Sequence, residues 1–211
     1  MTPPGVILAG GLATRMGGGD KGLVTVGGKP LLAHVIDRLQ PQVSEILLNA
    51  NGAAERFRNF GLPVRPDPVE GFPGPLAGVL AGLDWAAEFG AEAIVSVAAD
   101  TPFFPKDLVH RLVRAAEGRD APLALAATPR RGEALKSGGR TGVNRHPTFG
   151  LWPTALREDL RAALENGLRK VVLWTDRHGA GEAIFEDAPF DPFFNVNTPE
   201  DVTEAERLIE A

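Results

Sequence analysis

Apolar residues along this chain follow two rhythms. Short continuous runs, Val6 to Ala9, Glu45 to Asn49, Leu62 to Arg65, Ala93 to Ala99 and Leu123 to Ala127, predict buried strands. Between them lie segments with a repeat near 3.6 residues, which predict helices. Leu31, Leu32, Val35, Ile36 and Leu39 follow Pro30 in this way, with Asp37 and Arg38 on the wet side. Further helices are expected over Ala53 to Phe60, Pro75 to Ala87, Pro105 to Ala116, and Pro153 to Glu165. Lys170 to Asp176 fits helix or strand equally well. A strand resumes at His146 to Leu151. Near the end, Thr198 as N-cap, Pro199 at the first helical position and acids in the first turn announce a last helix. Strands alternating with helices predict an α/β fold: a three-layer α/β/α sandwich around a mostly parallel sheet, formed by one domain over residues 1–211.

The strand ends carry the polar chemistry. Val6 to Ala9 runs into Gly10-Gly11 and a glycine-rich loop holding two cations, Arg15 and Lys21. Glycines let backbone N–H groups approach a bound anion. Arg15 offers a planar fork to phosphate oxygens and Lys21 a mobile point charge. The loop is neither of the two common phosphate loops. Lys21 is followed by Gly22 and Lys29 by Pro30, where a Walker A loop needs Ser or Thr. Gly11 to Gly17 also lacks the G-x-G-x-x-G spacing that leads straight into a helix. A long, open loop of this kind suits a triphosphate.

Asn49 ends its strand, where an amide could bond a ribose or a base edge, while Asn51-Gly52 reads as a plain turn. Asp67, between Pro66 and Pro68, is held extended at another strand end. Gly74 and Pro75 open a helix whose free N–H groups face a ligand. Gly78 and Gly82 inside that helix each cost about 1 kcal/mol against alanine, which close approach to a strand or a base would justify. Asp100, at the tip of the most apolar strand, is placed to hold a hard divalent cation such as Mg²⁺, which keeps most of its waters and needs only one or two carboxylates. Asp107 is read as a favourable first-turn charge. His146 has no carboxylate partner evident in the sequence and is read as a substrate-pocket contact. Asn195 and Asn197 alternate around Val196, so in a strand they share a face suited to a heterocycle or to metal-bound water.

Composition narrows the classes. The net charge of −5 argues against bulk nucleic-acid binding, so anionic ligands must be met by local cations. The absence of cysteine removes disulfides, thiolate metal sites and cysteine nucleophiles. No basic leader and no apolar window of membrane length is present, so a cytoplasmic protein with no membrane contact is expected. One stretch stands apart, residues 128–146. Arg130, Arg131, Lys136, Arg140 and Arg145 face a single Glu133 there. It reads as a flexible basic loop, either simply solvated or an electrostatic cover for a polyanionic substrate.

Leu8-Ala9-Gly10-Gly11, Arg15-Met16-Gly17 and Asp20-Lys21 together resemble the signature loop of the nucleotidyltransferases with a Rossmann-like fold of the nucleotide-diphospho-sugar transferase type. Within that group, Gly74 to Gly78, His146-Pro147-Thr148 and Asn195-Val196-Asn197-Thr198-Pro199 are similar to the molybdenum cofactor guanylyltransferases. These stretches span nearly the whole chain in the right order. The resemblance implies Mg²⁺-dependent transfer of GMP from GTP to the terminal phosphate of molybdopterin, with release of pyrophosphate. It implies that Arg15 and Lys21 neutralise the leaving phosphates and that Asp100 holds Mg²⁺. Leu8, Ala9, Gly10 and Gly11, with Asn49, Asp67, Gly74 and Gly78, would bind GTP, and His146, Asn195 and Asn197 would face the pterin. Transient contacts with cofactor-insertion proteins and molybdoenzymes are also implied. The basic stretch departs from the family, which usually has a shorter connection there. A molybdopterin cytidylyltransferase, a sugar-phosphate nucleotidyltransferase and a non-catalytic GTP-binding module are the competing readings.

Overall fold

The computed structural model describes residues 2–10, 19–69, 71, 74–130 and 142–210. A seven-stranded sheet forms its centre, in the order β5-β4-β1-β6-β8-β7-β9. The strands are β1 (Gly5–Leu8), β4 (Ile46–Asn49), β5 (Val64–Arg65), β6 (Ala93–Ala98), β7 (Ala124–Pro129), β8 (Val143–Pro153) and β9 (Gly181–Ile184). A separate hairpin joins β2 (Thr25–Val26) to β3 (Lys29–Pro30). β1 pairs in parallel with β4 and β6, β4 with β5, and β7 with β9, while β8 runs antiparallel to both β6 and β7. The sheet is therefore mostly parallel, as the strand–helix alternation predicts.

Among the described residues six α-helices accompany it: α1 (Leu31–Leu39), α2 (Pro75–Ala87), α3 (Leu108–Ala116), α4 (Arg157–Glu165), α5 (Val171–Arg177) and α6 (Pro199–Glu210). The period-2 alternation of the strands explains the layers. Ile7, Leu48, Val95 and Val97 join α1 and α3 in one buried cluster. Their neighbours Val6, Leu47 and Ile94 join α2, α4 and α5 in the other. Each fully buried aliphatic side chain contributes about 1.5–3 kcal/mol, so both faces of the central strands are strongly stabilised. A third, smaller cluster seats α6 and the β2–β3 hairpin against Phe103 and Val196.

Gly82 is explained by this packing. A Cβ there would lie 2.5 Å from Val6 Cγ2 and 2.8 Å from Ile94 Cδ1, so only glycine lets α2 settle onto β1 and β6.

Several expected elements differ in detail. Pro30 (φ −57°, ψ 143°) precedes α1 instead of opening it. Ala54–Phe60 is a 3₁₀ helix, ended by Gly61 in the left-handed region at φ 65°. α3 starts at Leu108, with Pro105 to Asp107 forming the turn before it, so Asp107 precedes the helix and pairs with Arg111 at 3.8 Å. The ambiguous segment near 170–176 is helical, and β9 was not foreseen. Asn195 to Asn197 is not in a strand.

The largest correction concerns the expected loop over 128–146. Both of its ends are strand, because β7 and β8 continue their ladder through Thr128↔Asn144 and Pro129↔Val143. Arg145 is not a loop charge either. It pairs with Asp176 (2.5 Å) and Glu182 (2.7 Å), so neighbours neutralise the charge that made this end look solvated. Residues 131–141 lie outside the described residues.

Candidate functional site

A cavity of about 430 Å³ opens at the carboxyl edge of β1, β4 and β6. The topology puts it there. From β1 the chain crosses one face through α1 to reach β4, and crosses the other face through α2 to reach β6. The end of β1 is thus the point where the winding reverses, and open α/β sheets bind ligands at that point. In register, Leu8 lies beside Asn49 on one side and Ala98 on the other. Hydrogen bonds from Ala9 N to Asn49 O (2.8 Å) and from Ala99 N to Leu8 O (3.1 Å) carry the ladder one residue further. Leu8, Ala9 and Gly10 form part of the wall, and among the described residues, chain neighbours aside, no atom lies within 4 Å of where a Gly10 Cβ would be. Gly11 and Arg15 lie outside the described residues.

One end of the cavity carries charge. Lys21 opens a short 3₁₀ turn, Lys21–Leu23, and its ammonium sits 3.3 Å from Asp100 Oδ2. It also donates to Asn197 Oδ1. The hydroxyl of the fully buried Thr101 lies 3.2 Å from Asp100 Oδ1 and against the side-chain amide of Asn195. The segment bearing both asparagines is fastened to the strand edge, since Val196 N donates to Asp100 O at 2.8 Å. The start of α6 holds it from the other side. Asp201 Oδ2 accepts from the N–H groups of Asn197 (2.8 Å) and Thr198 (2.9 Å), while Asp201 N donates to Thr198 Oγ1 (3.2 Å). This is the reciprocal capping expected from Thr198 and the acids after it. Asn195 and Asn197 are therefore brought together by a cap and a loop, not by strand alternation.

The other end carries amides and one carboxylate. Asn49, only 4% exposed, donates to Asp67 Oδ1 (2.9 Å) and to Arg65 O (3.2 Å). Asn51 donates to Asp67 Oδ2 (2.8 Å) and accepts from Asp67 N (2.8 Å). Both carboxylate oxygens of Asp67 are thus oriented while keeping lone pairs available. Asn51 is a site residue that the plain-turn reading missed. The i, i+2 spacing used for Asn195 and Asn197 relates Asn49 and Asn51 as well, and would have found it. Gly74 and Pro75 line the cavity at the start of α2. Gly78 stands behind it: a Cβ there would collide with the Asn49 side chain and come within 2.8 Å of Leu8 Cδ2. Thr148, reached from β8, also lines the wall; the sequence names it only within the His146-Pro147-Thr148 run and gives it no role of its own.

His146 is not part of that wall. Its ring stacks on Phe193 (centroids 4.1 Å apart, planes at 20°), and Nε2 shares a hydrogen bond with Thr128 Oγ1 at 3.0 Å. Burial pushes its pKa below the ordinary 6.5, with the charge of Asp191 opposing the shift.

The domain model described as "MobA-like NTP transferase domain" matches residues 5–179. The chain belongs to this family. As a MobA-like NTP transferase, it has curated relatives along almost its whole length. A molybdenum cofactor guanylyltransferase of Bradyrhizobium sp. (strain ORS 278) is 54% identical over 208 residues, covering 97% of this chain and 92% of the relative. Among solved structures, molybdopterin-guanine dinucleotide biosynthesis protein A from Archaeoglobus fulgidus superposes with a TM-score of 0.71 at 22% identity, covering 98% of both chains. The CMP:2-keto-3-deoxy-manno-octonic acid synthetase solved with CTP gives 0.74 at 15% identity, covering 100% of this chain and 99% of that one. At those identities the two structures speak for the fold alone, and the fold they share is the Rossmann-like one of nucleotidyltransferases. Among the described residues no helix is long and apolar enough to cross a membrane.

Proposed function

We propose that this chain transfers GMP from GTP to the terminal phosphate of molybdopterin, releasing pyrophosphate. The observation that carries this reading is a single cavity with a lysine–aspartate pair at one end and an amide-braced carboxylate at the other. A nucleoside triphosphate is built the same way, with charge at one end and a hydrogen-bonding base at the other. The identity with curated guanylyltransferases supports guanine as the base.

In this reading Asp67 accepts from the N–H groups on the guanine edge, and Asn49 and Asn51 hold its two oxygens in place. The backbone of Leu8, Ala9 and Gly10 borders the sugar and α-phosphate. Lys21 leaves Asp100 for the triphosphate, where its charge offsets the charge that builds on the departing pyrophosphate. Arg15 is assigned to the same task. An oxygen of the acceptor phosphate attacks the α-phosphorus as the bond from that phosphorus to the bridging oxygen breaks. A phosphate monoester has a second pKa of about 6, so the attack needs no strong base. Positioning and charge stabilisation then carry the catalysis.

Asp100 fits a divalent metal, read here as Mg²⁺. It is a single, partly exposed carboxylate, and no group of three metal-binding side chains occurs among the described residues. Mg²⁺ asks for no more than one or two carboxylates beside phosphates and water. Bound there, the metal supplies charge neutralisation at the phosphates. Asn195 and Thr148 are assigned to the acceptor side, with Asn197 acting through Lys21. We read the protein as cytoplasmic, with GTP and molybdopterin as substrates and passing contacts with cofactor-insertion proteins and molybdoenzymes.

The test is pyrophosphate release from purified protein with Mg²⁺, molybdopterin and each of the four nucleoside triphosphates in turn. Release with GTP alone is expected. Release with CTP alone would move the chain to the cytidylyl branch, and release with none would overturn the reading.

A further inference from the structure

One side chain that no functional assignment uses is bonded both to Asn51, at one end of the cavity, and to Asp20, the neighbour of Lys21 at the other. Arg56 belongs to the 3₁₀ helix Ala54–Phe60, outside the cavity wall. Its guanidinium lies over the ring of the buried Phe57, 4.5 Å from the centroid, a favourable cation–π contact. From that seat it donates in two directions. Nε and Nη2 reach Asp20 Oδ2 (2.6 Å) and Oδ1 (3.2 Å). Nη2 and Nη1 also donate to the carbonyl oxygens of Asn51 and Ala53. Asp20 stands just before the 3₁₀ turn that begins with Lys21, yet its carboxylate caps nothing there and goes to Arg56. Both partners are largely shielded, with side-chain exposures of 27% for Arg56 and 14% for Asp20. Gly52 makes room: it has φ 81°, and a Cβ at that position would stand 3.3 Å from Arg56 Nη1.

We infer that Arg56 is a positioning residue that sets the distance between the phosphate end and the base end of the site. One arm runs from Arg56 through Asp20 to the turn carrying Lys21. The other runs through the Asn51 carbonyl to the amide that orients Asp67. A planar group with five donors can serve both arms at once, and a lysine cannot. Its benefit falls on a ligand that spans both ends. Neither half of such a ligand needs the spacing, but the whole does, because its second contact is made at an effective concentration set by geometry.

The inference rests on the nucleotide reading above, and the experiment separates the two. Calorimetric titration with Mg²⁺ compares GTP, GMP and pyrophosphate on the wild-type chain and on Arg56→Gln. The variant is expected to lose about 10-fold or more in GTP affinity, while GMP and pyrophosphate each change by less than about 3-fold. Arg56→Lys is expected to restore little of the loss, and Asp20→Asn to reproduce it. If Arg56→Gln does not fold, Asp20→Asn carries the same test from the other arm. GTP affinity unchanged in both variants would overturn the inference, as would equal losses for GTP and its fragments. A wild-type chain that binds no GTP would instead overturn the nucleotide reading itself.

Discussion

The two halves of the sheet treat their polar residues differently. In the half built from β5, β4, β1 and β6, the polar residues at strand ends turn toward the cavity and are braced by each other: Asn49 and Asn51 by Asp67, Lys21 by Asp100 and Asn197. In the half built from β8, β7 and β9, residues of equal chemical promise are consumed by neighbours. His146 is stacked on Phe193 and bonded to Thr128, and Arg145 is paired to Asp176 and Glu182. Direction explains the contrast. β1, β4 and β6 are parallel, so their carboxyl ends share one edge, whereas β8 runs the other way and His146 falls inside its ladder with β7, opposite Ala126. A polar residue at the carboxyl end of a parallel strand has an address; one within an antiparallel strand needs the register before it has one.

The sharpest way to break this comparison is at the charged end. Asp100→Asn keeps the shape of the side chain and removes its charge. It is expected to lower kcat by about 10²–10³-fold while GTP still binds, as losing a preorganised electrostatic contact typically does. At the base end the expected effect is smaller and concerns choice. Asp67→Asn turns one accepting oxygen into a donor, and the preference for GTP over the other nucleotides should fall by about 10-fold or more, consistent with the ~1–3 kcal/mol of discrimination of a paired hydrogen bond to a base edge. Competition between nucleotides in one reaction measures it directly.

The smallest effect on activity is expected on the other half. His146→Gln should leave kcat within about 3-fold, because the ring is stacked on Phe193 and is not among the residues that line the cavity. Its signature lies in stability. Since burial holds the native His146 below the ordinary 6.5, the unfolded chain binds more protons between those two values. Its contribution is therefore fully present above 6.5 and declines as pH falls from there toward the lowered native value. Denaturant unfolding at a series of pH values should show that slope in the wild type and a shallower one in His146→Gln.

Much of the fold was legible in the chain because its central strands are apolar on both faces. Val6 to Ala9 and Ala93 to Ala99 permit little else, and the glycines at 78 and 82 already implied a helix pressed against them. β9 was missed because Gly181 to Ile184 is short and alternates with polar Glu182, whose carboxylate serves Arg145. The ends of β7 and β8 were missed because local charge pointed to solvent, while the pairing that makes them strand joins residues in separate segments. The site divides along the same line. Asn49, Asp67 and Asp100 could be named from strand ends alone. Asn51, Thr101 and Arg56 act through partners distant in sequence, and only the folded chain supplies those partners.

The most direct test follows the label of [α-³²P]GTP in a single turnover with molybdopterin, comparing wild type, Asp100→Asn and His146→Gln. Label is expected on molybdopterin with the wild type and with His146→Gln at similar rates, and to be nearly absent with Asp100→Asn although that variant still retains GTP. Undiminished transfer by Asp100→Asn, or a loss in His146→Gln as deep as in Asp100→Asn, would contradict placing the chemistry at the parallel edge of the sheet.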